Sequence, residues 1–153
     1  MFAQVFVIAV FCIAASYQYT PFTECEQGPA PSALRVEGCT NSPCRFVRGS
    51  NVKAQWDFDV VADTDNMKPI VKAKVGGFVV DYPYPEQDAC QSLTRGKCPL
   101  KQGDSVTYNL NMPVLSNYPK VSLHLTFSLV DKNNNVHACF GLNAKVVDSF
   151  LRS

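Results

Sequence analysis

Residues 121–130 read VSLHLTFSLV. Val121, Leu123, Leu125, Phe127 and Leu129 alternate strictly with Ser122, His124, Thr126 and Ser128. A period of two over this length puts one apolar face against a core and one polar face toward water, the pattern of a half-buried strand. A helix would need apolar residues three and four apart, and no window of the chain sustains that stripe.

The same alternation spreads outward from this segment. On its C-terminal side, DKNNN (131–135) predicts a hairpin turn, because Asn tolerates the left-handed backbone such turns use. VHACFGLNAKVV (136–147) then sets Val136, Ala138, Phe140, Leu142, Ala144 and Val146 on one face. On the N-terminal side, SVTYNLNMPV (105–114) aligns Val106, Tyr108, Leu110, Met112 and Val114. NVKAQWDFDV (51–60) aligns Val52, Ala54, Trp56, Phe58 and Val60. Weaker strands are expected near Thr20–Cys25 and Ala33–Glu37. About seven antiparallel strands joined by short turns predict an all-β fold, two sheets packed face to face in one domain.

One stretch breaks the rhythm. Val71, Ala73 and Val75 alternate with Lys72 and Lys74, but after Gly76-Gly77 the apolar parity shifts to Phe78, Val80 and Tyr82. A one-residue shift at a glycine pair predicts a bulge or bend between two segments. Pro83 and Pro85 follow, and each removes an amide donor and keeps its predecessor extended. A strand that leaves its sheet edge here would hold the sandwich open beside Tyr82 and make a mouth. Tyr84, out of phase with Tyr82, is expected on the surface.

The first sixteen residues, MFAQVFVIAVFCIAAS, carry no charged side chain and end in small residues. They read as a secretory leader cut before Tyr17, so residues 17–153 form the expected mature domain. Six cysteines remain after that cut: Cys25, Cys39, Cys44, Cys90, Cys98 and Cys139. An even count in a secreted chain points to three disulfides, with fifteen pairings formally open. The short loops CTNSPC and CQSLTRGKC each close easily on themselves, and pairing them leaves Cys25 for Cys139. The cysteine and histidine spacings do not suit zinc. A net charge of +1 favours neither a nucleic-acid backbone nor an anionic surface.

The run DYPYPEQDACQSLTRGKCPL, followed by YNLNMPVLSNYPKVSLHLTFSLVDKNNNVHACF, resembles the ML (MD-2-related lipid-recognition) domain family. The early cysteine of FTEC and the CTNSPC loop belong to the same pattern. So does the late cysteine before Phe140. The resemblance implies an immunoglobulin-like β-sandwich with an apolar cavity between its sheets, and the pairing Cys25–Cys139, Cys39–Cys44 and Cys90–Cys98. It places a cavity mouth at Val80, Tyr82, Val114, Tyr118 and Pro119, and deeper wall positions at Phe127 and Phe140. At these last two the family's sterol-transfer branch tends to carry tryptophan. Trp56 and Phe58, inward-facing by alternation, complete the candidate ligand-binding set.

The expectation is therefore a secreted, monomeric carrier of a sterol or long-chain fatty acid, needing no cofactor or metal. The alternative is an innate-immune lipid-recognition module that acts with a receptor. Transient membrane or receptor contact is a further expectation, with Lys72 and Lys74 as one outer-face candidate. The chain holds no N-x-S/T sequon, so a glycan-directed lysosomal lumen location is the secondary reading. Two histidines and scattered carboxylates offer no nucleophile or acid–base pair, so no enzyme is expected. His124, on a polar strand face, reads as a solvated side chain.

Overall fold

Alternation carries through directly into pairing: Phe127 sits opposite Phe140, and Leu125 opposite Leu142, across an antiparallel hairpin. Its strands are β9 (Ser122–Val130) and β10 (Val136–Val147), joined by the expected turn, in which Asn134 takes a positive φ of 64°. The structure is a computed structural model that describes Ala9 and residues 18–149. The expected leader, residues 1–16, lies outside the described residues except for Ala9.

The remaining strands, in chain order, are β1 (Thr23–Glu24), β2 (Ala33–Val36), β3 (Cys44–Val47), β4 (Asn51–Asp59), β5 (Lys68–Val75), β6 (Phe78–Tyr82), β7 (Leu93–Arg95) and β8 (Ser105–Pro113). They form two sheets. One runs β1-β10-β9-β5-β6, with β3 also on β10; the other runs β2-β4-β8-β7. The sole helical element among the described residues is a 3₁₀ turn at Ala89–Ser92, whose first turn is closed by Asp88 accepting from the Cys90 amide.

Two short strands were not legible as strands. β3 pairs in parallel with β10 through Cys44↔Ala144 to Val47↔Val147, and β7 covers only part of β8. The Gly76-Gly77 parity shift proves to be a two-residue hairpin turn: Val75 pairs with Phe78, and Gly76 carries a φ of +60°. Residue parity restarts there because the chain reverses, and glycine meets the positive φ at little cost.

The faces turned inward make one core. Trp56 packs against Tyr108 at 4.8 Å, against Phe140 at 4.9 Å and against Phe127 at 6.0 Å between ring centroids. Trp56, Tyr108 and Phe140 are fully buried, and Phe58 lies beside them at 2% exposure. Three disulfides close the fold at Cys25–Cys139, Cys39–Cys44 and Cys90–Cys98. The first spans 114 residues and ties β1's end to the middle of β10.

Candidate functional site

At one end of the sandwich the two sheets do not close on each other. An apolar recess of about 220 Å³ lies there, between β5, β6, β9 and β10 on one side and β8 on the other. Alternation explains its walls. Leu123 and Leu125 come from the inner face of β9, Ala73 and Val75 from β5, Met112 from β8 and Val146 from β10. Phe46, on the strand the alternation did not reveal, adds a further wall.

The structure brings Val80, Tyr82, Val114, Tyr118 and Pro119 together around this recess. Val80 and Tyr82 are contributed by β6, the edge strand; Val114, Tyr118 and Pro119 belong to the connection from β8 to β9. The other four candidates stand elsewhere. Trp56, Phe58, Phe127 and Phe140 lie in the packed core and are not part of the recess wall. Phe127 and Phe140 stack side by side on one sheet at 5.1 Å, and Trp56 of the opposite sheet meets them at 6.0 and 4.9 Å, so the volume between the sheets is filled at that depth.

Tyrosine hydroxyls bridge the mouth. Tyr118 donates to the Tyr82 hydroxyl at 3.3 Å, and Tyr82 donates to the Pro113 carbonyl at 3.4 Å. Their rings meet edge to face with centroids 6.5 Å apart. The chain Tyr118–Tyr82–Pro113 thus runs from the connecting loop, through the edge of one sheet, to β8 of the other. Burial, reinforced by the Tyr118 hydroxyl, pushes the Tyr82 phenol well above its ordinary range, so it stays neutral.

The loop that carries Tyr118 is anchored from behind. Arg48 donates to the Tyr118 carbonyl at 3.1 Å and through Nε to Asp148 at 2.7 Å. Lys120 also reaches Asp148, at 3.1 Å. Arg48 and then Lys120 hold the Asp148 carboxyl below its usual range.

Tyr84 departs from expectation. It is buried, at 5% exposure. Its hydroxyl donates to the Asn111 carbonyl and accepts from the Asn111 amide, both at 3.3 Å. The physical reason is that β7 pairs β8 only near Tyr108 and Thr107, so the edge of β8 beyond it needs another partner. After Pro83 the chain is no longer a strand, and period two ceases to say which way a side chain points.

The apolar surface beside the mouth was not assigned a role by alternation. Phe78, Val79 and Val80 of β6 are 79%, 60% and 53% exposed, and Leu115 on the facing loop is 47% exposed. The signal was present: three consecutive apolar residues cannot all face the core of a strand. Lys72 and Lys74 alternate outward on β5 as expected, beside this patch, with Lys74 opposite Val79. His124 contacts the Asn143 side chain at 2.8 Å on the outer face.

An immunoglobulin-like β-sandwich with an apolar recess at one open end defines the class. Residues 19–146 match the ML domain family model, and the chain belongs to that family. Among curated proteins it is 32% identical over 115 residues to the NPC intracellular cholesterol transporter 2 homolog a of Drosophila melanogaster, covering 74% of this chain and 77% of that one. It is 29% identical to the ecdysteroid-regulated 16 kDa protein of Manduca sexta, covering 94% and 99%. Mite group 2 allergen Lep d 2 of Lepidoglyphus destructor is 27% identical, with 92% and 95% covered. Of solved structures, a Niemann-Pick type C2 protein from the Japanese carpenter ant superposes with a TM-score of 0.74 at 20% identity, covering 83% of this chain and 99% of that one. Chicken MD-1 complexed with lipid IVa gives 0.57 at 14% identity, covering 85% and 88%.

Proposed function

We propose that this protein is a lipid carrier that takes the apolar part of a sterol or long-chain fatty acid into the recess between its sheets. The observation that carries the reading is the recess itself: an apolar-walled opening at the one place where the mouth residues converge. Binding is driven by desolvation of the lipid. Burying ~350 Å² of apolar ligand surface yields about 9 kcal/mol gross at ~25 cal/mol per Å². Association and ordering costs reduce this, leaving an affinity on the order of micromolar.

The recess volume of about 220 Å³ is below the ~300–1,000 Å³ of pockets that enclose a drug-sized ligand. A whole lipid therefore enters by displacing wall side chains. The wall that yields is the mouth, where long hydrogen bonds join Tyr118, Tyr82 and Pro113. The exposed apolar patch of β6 supports brief contact with a membrane or receptor during exchange. Three disulfides fit an extracellular or lumenal setting, and no helix among the described residues is long and apolar enough to cross a membrane.

Native mass spectrometry of the purified protein, followed by lipid extraction and mass identification, tests this. A stoichiometric sterol or fatty acid is the expected result. Failure to take up any lipid after delipidation and incubation with mixed lipids would overturn the proposal.

A further inference from the structure

We infer that the Tyr82–Tyr118 hydroxyl pair selects, among the lipids the recess admits, those that carry a neutral hydroxyl group. This rests on the carrier reading above and narrows its ligand class. Oxygen-to-oxygen hydrogen bonds are ordinarily ~2.7–2.8 Å long. The Tyr118-to-Tyr82 and Tyr82-to-Pro113 bonds, at 3.3 and 3.4 Å, are both long. The first is weak enough to be exchanged for something better.

Donor accounting says what that something is. Each phenol has one hydrogen to give and lone pairs to receive. Tyr82 gives its hydrogen to the Pro113 carbonyl, and Tyr118 gives its hydrogen to Tyr82. A ligand atom inserted between the rings must accept from Tyr118 and donate to Tyr82, so that the chain runs Tyr118 to ligand to Tyr82 to Pro113. One atom that both accepts and donates is a hydroxyl oxygen. An ether or ester accepts without donating and leaves the Tyr82 lone pair without its donor. A hydrocarbon does neither.

A carboxylate at neutral pH also lacks a donor. The cations that reach this loop offer it little, because Arg48 and Lys120 both turn to Asp148. Tyr82 and Tyr118 are each half-buried and both line the recess, so the hydroxyl sits at the mouth while the apolar body lies against Leu123, Leu125 and Met112. Missing one polar partner in a partly desolvated site costs more than making it contributes, which is why a single pair of hydroxyls can discriminate.

Matched probes test this. Equilibrium binding is measured for cholesterol against its methyl ether, and for cetyl alcohol against its methyl ether and against palmitate. The alcohol of a skeleton that binds is expected to exceed its ether by roughly tenfold. Palmitate is expected to fall below cetyl alcohol at neutral pH and to gain on it in acid, where its own carboxyl takes up a proton. In Tyr82→Phe and in Tyr118→Phe the alcohol-to-ether ratio is expected to fall toward one. Equal binding of alcohol and ether by the unaltered protein would overturn the inference while leaving the carrier reading intact. So would a tenfold ratio that persists in both variants, or palmitate binding more tightly than the alcohol at neutral pH. If no probe of either skeleton binds, the carrier reading itself fails and the inference falls with it.

Discussion

The Tyr84 hydroxyl makes two hydrogen bonds to the backbone of Asn111, one to its carbonyl and one from its amide, each 3.3 Å long. A side chain from the proline segment thereby completes the edge of the opposite sheet. Tyr84→Phe keeps the buried ring and removes both bonds to the backbone of Asn111, an exposed residue at the sheet edge. The expected cost is about 1–3 kcal/mol. Urea unfolding should show a lower midpoint with an unchanged slope.

Charge placed at the mouth should separate binding from folding. Tyr118 is half-buried in a loop, so Tyr118→Asp is expected to abolish lipid uptake and to lower stability by no more than about 1 kcal/mol. Val114 is 3% exposed, and Val114→Asp is expected to lose both uptake and about 3 kcal/mol. Uptake of a radiolabelled sterol or fatty acid, alongside thermal melting, checks the pair. Unchanged uptake in Tyr118→Asp would remove the mouth from the recess.

Far from the recess, a buried pair predicts acid sensitivity. His137 Nε2 donates to Asp131 at 2.9 Å, while Nδ1 accepts from the Val61 amide at 3.2 Å, which fixes the tautomer. Burial pushes the Asp131 carboxyl up, but the hydrogen bonds from His137, Asn135 and Asn133 outweigh it and hold it at about 2, below the ordinary 3.8. The folded value is depressed, so this carboxylate's contribution is full above about pH 4 and is lost as pH falls toward 2. Asp131→Ala should therefore cost about 3 kcal/mol at neutral pH and flatten the loss of stability in that window. Denaturation midpoints measured from pH 2 to 6 would show it; a parallel curve for the variant would refute it.

The Cys25–Cys139 bridge closes 114 residues of chain. In the loop-closure model its removal costs about 4–5 kcal/mol, more than either short bridge. Replacing both cysteines with serine should lower the melting temperature further than the same change at Cys90 and Cys98. Calorimetry of the two double variants decides the order.

Much of the fold was legible because its strands are long and two-sided. β4, β8, β9 and β10 alternate over nine residues or more. Burial follows the alternation in β4 and β9 and, apart from Thr107, in β8, whereas β10 is buried on both faces from His137 to Leu142. β3 escaped because four residues, CRFV, are too few to display a period, and because its partner is the distant β10 in parallel. Within the site, parity told face but not depth. Leu125 and Phe127 share a face of β9, yet Leu125 lines the recess and Phe127 is locked in the stack with Phe140. Two residues of strand are only ~7 Å, and nothing in a pattern of alternation marks where filling ends and opening begins. Tyr84 was misread for a related reason, since prolines suspend the very rule by which its direction was inferred.

The aromatic plug formed by Trp56, Tyr108, Phe127 and Phe140 divides labour along the length of the molecule. Cohesion is concentrated there and in the buried wall, so the exposed and half-buried side chains of the mouth are released from holding the chain together. Lineages can then retune cargo preference by exchanging the exposed and half-buried mouth side chains, at positions such as Val80, Tyr82 and Tyr118, at small cost to folding. Divergence in what such proteins carry should accumulate at that open end, while the plugged half changes slowly.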